Sequence, residues 1–303
     1  MTGAPRVSVA ITAYNHAAYV AQAIDSVLGQ RTAVEYEVVI GEDCSEDGTR
    51  DLVREWQRRH PEQIRLVLPD RNLGFRGNAL FSKVVEVARG EYIATLDGDD
   101  YWVSPGKLTA QVAYLDARPE CSLCFHDAFV ELADGSRAAA RYAPAWVGPT
   151  LSLRELWREN PIPSCAPLFR RSVLARLPAW YCSCVFGDWP LYVLAATQGR
   201  IGYLPEPMAV YRLHGRGLWS SATRERQLEE VVAFLRGMGR RVGRAHRDGL
   251  RASLSRYRLE LATLYAGGGQ RRRALRALAP ALVASPGAAV RVLRAIARGD
   301  SRR

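Results

Sequence analysis

Lysine is nearly missing from this 303-residue chain, with two lysines against 40 arginines. Apolar runs of eighteen residues are missing too, so no transmembrane helix is expected. The opening MTGAPRVSVAITAYN lacks a basic stretch followed by a long apolar one, which argues against a secretory signal and for a cytoplasmic protein. Six cysteines are present, and without an export signal free thiols are the default. Cys121-x-x-Cys124 has no second C-x-x-C to complete a zinc site, and Cys182-x-Cys184 is too tight for a knuckle. Cysteine acting as a small buried hydrophobe is the expectation. No sustained internal repeat is visible, although the last third would allow one or two tetratricopeptide-like helix pairs.

The composition, 48% hydrophobic and 24% charged, is ordinary for a globular protein. The net charge of +11 is unevenly placed. From Arg224 onward there are 19 Arg and 6 acids, giving +13, whereas residues 1–223 come to −2. Such a tail suits an anionic membrane, nucleic acid or an acidic protein face, and equally a set of solvated helices.

The first 130 residues alternate between two periodicities. VSVAITA (7–13), EYEVVIGE (35–42), IRLVL (64–68) and EYIATL (91–96) read as strands. Residues 20–28, 49–60, 77–88 and 107–117 carry apolar side chains at helical spacing. This βαβα order predicts an α/β fold with a mainly parallel sheet flanked by helices. In such sheets ligands bind beyond the carboxyl ends of the strands. The polar loops Thr12–His16, Glu42–Thr49, Asp70–Asn78 and Asp97–Asp100 all lie there. Residues 131–223 are irregular, and 225–247, 250–266, 271–284 and 288–298 read as helices.

The most informative loop is TLDGDDYW (95–102). Asp97 and Asp99, two apart in extended backbone, share a face, and Asp100 faces the other way, as a supporting or helix-starting residue. Gly98 leaves room for a ligand. Two ionised carboxylates on one face repel, and a divalent cation with hard oxygen ligands, Mg²⁺ or Mn²⁺, relieves that repulsion. An exposed acidic turn explains the same letters more simply. In GEDCSEDGT, Ser45 or Asp47 caps the following helix, leaving Glu42 and Asp43 unexplained by capping and suited to a base N–H or a ribose hydroxyl.

Together VSVAITAYN, VVIGEDCSEDGT, NLGFRGN, ARGEYIATLDGDDYW and FGDWPL resemble the family 2 inverting glycosyltransferases of the GT-A fold, over roughly residues 6–215. The combination is specific, while each piece alone is not. The resemblance implies a GT-A domain over 1–223, with a nucleotide-sugar half (1–130) and an acceptor half (131–223), followed by a basic helical extension (224–303). It implies that Thr12, Tyr14 and Asn15 border the base and ribose. Asp43 contacts the base, commonly uracil, beside Glu42, where the family more often has Asp. Asn72, Gly74, Gly77 and Asn78 shape the wall beside the donor. Asp97, with Gly98, touches ribose, and Asp99 touches the metal-diphosphate.

Asp188 in FGDWPL is then the expected general base, its apolar neighbours raising its pKa; it also suits the N-cap of WPLYVLAATQ. Trp189 offers a ring to a sugar acceptor. In YRLHGRGLWS, Arg212 and Arg216 are phosphate donors and His214 reaches the metal or diphosphate. His126 and Asp127, placed beyond a fifth strand, are weaker acceptor-side candidates. The implied partners are a nucleotide-sugar donor, most simply a UDP-sugar, and a hydroxyl acceptor on a glycan, glycolipid or natural product, including a lipid-linked one. Residues 224–303 add peripheral contact with an anionic membrane at its inner face; nucleic acid is not expected. Two other readings stand beside this one. A sugar-phosphate nucleotidyltransferase wants a glycine-rich basic first loop, and AYNHAAY has neither glycine nor Lys/Arg. A non-catalytic protein would work through its basic tail.

Overall fold

The computed structural model describes residues 4–74, 78–184, 186–215, 217, 219–284, 290 and 293. The chain divides into two compact units, one of 1–156 with 160–215 and one of 157–159 with 216–303.

The first unit begins as the periodicities predict. Strands β1 (Val7–Ala13), β2 (Tyr36–Glu42), β3 (Ile64–Val67) and β4 (Tyr92–Asp97) alternate with helices α1 (Val20–Leu28), α2 (Thr49–Arg59) and α3 (Asn78–Val87). Then come β5 (Tyr101–Trp102), α4 (Lys107–Asp116), β6 (Cys121–Leu132), β7 (Thr150–Leu151), α5 (Leu153–Arg158), β8 (Leu168–Arg170), α6 (Arg171–Leu174), α7 (Trp189–Gln198) and β9 (Arg200–Leu213). Among the described residues, nine strands form one sheet in the order β3-β2-β1-β4-β8-β6-β9-β5, with β7 on β9. β3, β2, β1 and β4 run parallel, whereas β8 pairs antiparallel with both β4 and β6.

Strand alternation sends side chains to two cores. Val7, Val9 and Ile11 pack with Val20, Ile24 and Val27 of α1 and with Leu108, Val112 and Leu115 of α4. Ala10, Val39 and Ile93 face the other way, onto Phe81, Val84 and Val85 of α3 and onto Leu191, Tyr192 and Ala195 of α7. Each fully buried Val, Ile, Leu or Phe contributes about 1.5–3 kcal/mol to this arrangement. With both faces covered, the carboxyl ends of β1, β2 and β4 are left as the place for polar loops.

Two expectations shift here. His126 and Asp127 do not lie beyond a strand; they sit inside β6, at a bulge in its pairing with β9. Both are buried there. The thiols of Cys121, Cys124 and Cys165 are buried as small hydrophobes, whereas Cys182 is exposed and Cys44 and Cys184 are intermediate.

The second unit is helical. α8 (Arg224–Met238), α9 (Arg247–Gly267) and α10 (Arg271–Ala284) meet through Leu228, Phe234 and Leu235, Tyr257, Leu261 and Tyr265, and Ala274 and Leu278. α8 stops well short of the expected 247, because Gly239 and Gly243 follow it and glycine weakens a helix by about 1 kcal/mol. The expected helix over 288–298 falls almost wholly outside the described residues. No described helix is long and apolar enough to cross a membrane.

Candidate functional site

The β4 end is a turn, not an extended segment. The Asp100 N–H donates to the Asp97 carbonyl (3.0 Å), so the two-residue alternation ends at Asp97. Asp100 therefore does not face away. Oxygens of Asp97, Asp99 and Asp100 gather within 4.8 Å of one another. Gly98 is required here by protein packing: a Cβ would lie 2.9 Å from His16 Nδ1 and 3.0 Å from Ala13 Cβ.

Each carboxylate is held differently. Asp97 Oδ1 accepts from Thr12 Oγ1 (3.0 Å), and burial together with the charge of Asp99 raises its pKa. Burial also pushes Asp99 upward, but the hydrogen bond from His214 Nε2 (3.0 Å) and the charge of His16 (Nε2 at 3.6 Å) outweigh it and hold Asp99 below the usual range. Asp100, 1% exposed, accepts the Arg212 N–H on Oδ1 (2.8 Å), and its Oδ2 has no hydrogen-bond partner among the described residues. Burial and the charges of Asp99 and Asp97 drive Asp100 well above the carboxylate range. Three crowded carboxyls, one oxygen unsatisfied, fit a divalent cation, whose binding would displace the proton the cluster otherwise keeps.

Arg212 is expected to hold phosphate, but its guanidinium is used by the protein. It donates to Glu131 (2.8 Å), to the Asp99 carbonyl (2.8 Å) and to Gln22, and lies over Tyr101 at 4.4 Å. It braces the acidic turn from below. A small cavity of about 90 Å³ opens beside it, lined by Tyr19, Glu131, Leu132, Ala133, Gly135, Arg212 and His214. Arg216 and Gly77 lie outside the described residues.

The loops after β1 and β2 hold one another. Asn15 and Cys44 adopt left-handed backbone (φ 55° and 59°). The Asn15 N–H donates to Ser45 Oγ (2.8 Å), and Asn15 Oδ1 accepts from the Glu46 N–H (3.0 Å). Tyr14 stays 38% exposed, leaving its ring open to a planar ligand. Asp47 accepts from the N–H groups of Ala17 and Thr49, but the cap position of α2 is Gly48 and neither Ser45 nor Asp47 is the expected N-cap, Ser45 Oγ being turned to Asn15. Glu42 is fully buried, ion-paired with Arg50 and accepting the Ser45 N–H, so its carboxylate is committed to the loop. Asp43 accepts the Leu73 N–H (2.8 Å) while Asn72 donates to its carbonyl (2.8 Å); burial raises the Asp43 pKa. Asn72 also accepts the Gly74 N–H (2.9 Å), where φ is 121°. Asn78 is buried and turned from the donor wall: its amide donates to the carbonyls of Tyr181, Cys184 and Phe186.

Those three carbonyls precede Asp188. Its Oδ1 accepts the Trp189 N–H (2.6 Å), capping α7, and its Oδ2 accepts from Asn160 Nδ2 (2.7 Å). Burial pushes this carboxyl up to about 6, with Asp97 close enough for its charge to add. Trp189 offers no face to an acceptor: it is 4% exposed, its indole N–H donates to the Leu156 carbonyl (3.1 Å), and its ring packs on Phe186. At the first turn of α7 the side chain folds back into the core. His126 and Asp127 are likewise structural. His126 is fully buried and held well below its ordinary pKa by burial, and Asp127 accepts from the N–H groups of Ala128 and Ala143 and from Tyr203.

The structure thus brings together Thr12, Asp97, Asp99, Asp100, His16 and His214, with Asp188 within electrostatic reach of Asp97. His16, Asn160 and Gln22 have no role in the sequence reading. His16 was visible as the imidazole closing the first polar loop; Asn160 left no pattern beyond an Asn-Pro pair.

The family profile for glycosyl transferase family 2 matches residues 8–177. An uncharacterized protein of Mycobacterium tuberculosis, Rv1520, is 38% identical over 221 residues, 73% of this chain and 62% of that protein. The chain therefore spans under two thirds of that relative's length. Among solved structures, S. aureus TarS residues 1–349 in complex with UDP-GlcNAc superposes with a TM-score of 0.68 at 18% identity, covering 98% of this chain and 88% of that one. The mannosyltransferase PcManGT of Pyrobaculum calidifontis, in complex with GDP-Man and Mn²⁺, gives 0.62 at 21% identity, covering 98% and 81%. The sheet and its flanking helices are those of the GT-A fold, and the chain belongs to glycosyl transferase family 2.

Proposed function

We propose that the protein is a metal-dependent inverting glycosyltransferase that moves a sugar from a nucleotide-sugar donor, most simply a UDP-sugar, to an acceptor hydroxyl. The observation that carries this reading is the pairing of two unlike acidic sites in one unit. One is a crowded, unsatisfied aspartate cluster at the end of β4. The other is a single carboxyl, Asp188, raised to about 6 by burial. Donors of this class in two fold neighbours, one also with Mn²⁺, support it.

Asp99 and His214, with Asp97 and Asp100 beside them, would hold Mn²⁺ or Mg²⁺. When bound, such an ion stabilises negative charge on a departing diphosphate. Tyr14 and the Asn15 loop suit the base, and Thr12 and Asp97 the ribose. Asp188 accepts the acceptor's hydroxyl proton, and the freed oxygen forms its bond to the anomeric carbon opposite the breaking bond to diphosphate. A pKa near 6 suits a base at neutral pH: ionised, yet basic enough to take the proton. The acceptor is a glycan, glycolipid or natural product, lipid-linked ones included.

Titration calorimetry of the full chain with UDP, and with GDP in parallel, in the presence and absence of Mn²⁺ tests the donor side. Metal-dependent UDP binding that Asp99→Asn removes is expected. Binding indifferent to both metal and Asp99 would overturn the reading.

A further inference from the structure

Asp188 has both carboxylate oxygens anchored, and the second anchor comes from a distant segment. We propose that Asn160 is a positioning residue for Asp188, fixing the direction of the carboxylate and, through residues 160–164, its placement relative to Asp97. The inference rests on Asp188 being the base of the proposed reaction.

The geometry is specific. Asn160 Nδ2 donates to Asp188 Oδ2 at 2.7 Å, and Asn160 Oδ1 accepts the Ile162 N–H at 3.2 Å. The second bond sets the amide's orientation, so that the NH₂ group is the end facing the carboxylate. With Oδ1 of Asp188 taken by the Trp189 N–H, the carboxylate is restrained against rotation. The stretch after Asn160 is stiff: Pro161 and Pro163 flank Ile162, all three are buried, and each proline fixes its own φ while restricting the residue before it. It ends at Ser164, whose carbonyl accepts from Thr95 Oγ1 (2.8 Å), two residues before Asp97 on β4. One short rigid stretch therefore holds the carboxylate at one end and, at the other, the strand that carries Asp97. Base catalysis needs such precision, because small misplacements of a reacting group are costly.

The other groups that sense the charge of Asp188 do not take this role. They are Asp97 and the phenols of Tyr142, Tyr181, Tyr192 and Tyr211, all four pushed upward by burial and so neutral around pH 7. The Tyr181 hydroxyl donates to the Gly187 carbonyl (2.9 Å).

The experiment follows the carboxyl itself. The full chain is labelled with ¹³C at aspartate carboxyls, and the Asp188 resonance is assigned by its loss in Asp188→Asn. Its titration midpoint is then compared in wild type, Asn160→Ala and Asn160→Asp. Removing a donor to the ionised form should raise the midpoint by about one pH unit in Asn160→Ala. A like charge in its place should raise it further in Asn160→Asp. A residue that served only the local turn predicts the opposite ranking, since aspartate still accepts the Ile162 N–H and alanine does not. Equal midpoints in all three, or a larger shift for alanine than for aspartate, overturn the positioning role. Should the midpoints rank as expected while Asp188→Asn keeps full transfer activity, the base reading falls, and the catalytic meaning of the inference with it, while the anchoring of the carboxylate stands.

Discussion

In the proposed reaction Asp188 would serve chemistry at the expense of the fold. Its carboxyl sits near 6, about two units above an unfolded aspartate near 3.9. Between those values the folded state holds a proton that the unfolded state has lost, so stability falls as pH rises through the window, and the loss is complete above about pH 6. Asp188→Asn should therefore lose transfer activity by about 10²–10⁴-fold, as expected for a general base. Its urea midpoint relative to wild type should rise from pH 4.5 to pH 7.5, offset at both by the amide NH₂ it sets against that of Asn160. Wild-type transfer should decline as pH drops below about 6, where the base is protonated. An equal difference in urea midpoint at both pH values would show that this carboxyl is not perturbed. Gly98 makes a contrasting case. The sequence suggests space for a ligand, but the space is filled by His16 and Ala13. Gly98→Ala should cost about 1–3 kcal/mol by overpacking, read from denaturant unfolding, and should weaken Mn²⁺-dependent UDP binding by displacing His16. A fully stable Gly98→Ala would mean that the β1 and β4 loops yield easily.

At the level of elements, what was legible is what local periodicity writes. β1 and α1 match their expected bounds because Val7, Val9 and Ile11 recur at intervals of two in the first and buried apolar residues recur at helical spacing in the second. The polar loops after β1, β2 and β4 follow from the same pattern. What was not legible depends on contacts far apart in sequence. Asp100 turns inward because a turn replaces the strand; Arg212 is consumed by Glu131 and by the Asp99 carbonyl, 113 residues away. Trp189 looks like a sugar platform until the Leu156 carbonyl claims its N–H. Asn78 is the sharpest case, since the family resemblance puts it beside the donor and its amide is aimed at the segment before α7. Losing its amide would remove a donor shared by these carbonyls, of which that of Tyr181 keeps the Cys184 N–H. Asn78→Ala should therefore destabilise the protein by about 1–3 kcal/mol and lower transfer through misplacement of Asp188, with nucleotide binding largely retained. Lost UDP affinity with unchanged stability would return Asn78 to the donor wall.

For the molecule as a whole, the uneven charge remains the feature least absorbed by the catalytic reading. The 19 arginines of 224–303 face 6 acids, and the acids of α8 and α9 are already engaged. Arg273 pairs with Glu225 and Glu229, Arg226 with Glu230, and Arg224 with Glu260. Arg236, Arg240, Arg244, Arg271, Arg272 and Arg276 are exposed beyond those pairs, an excess of positive charge in one helical unit. Solvated helices would tolerate this, but an anionic surface would exploit it, at up to about 1 kcal/mol for each basic residue near the membrane. Attachment through such charges would be electrostatic and reversible. The full chain should then co-sediment with vesicles containing anionic phospholipid and not with zwitterionic ones. Binding should fall steeply as salt rises from about 0.05 M to 0.3 M, where the screening length shortens to less than 10 Å. Replacing Arg271, Arg272 and Arg276 together by glutamine leaves the Arg273 ion pairs in place and should reduce vesicle binding at least several-fold without altering UDP affinity. Vesicle binding indifferent to lipid charge, or untouched by the triple replacement, would assign the basic helices to solvent.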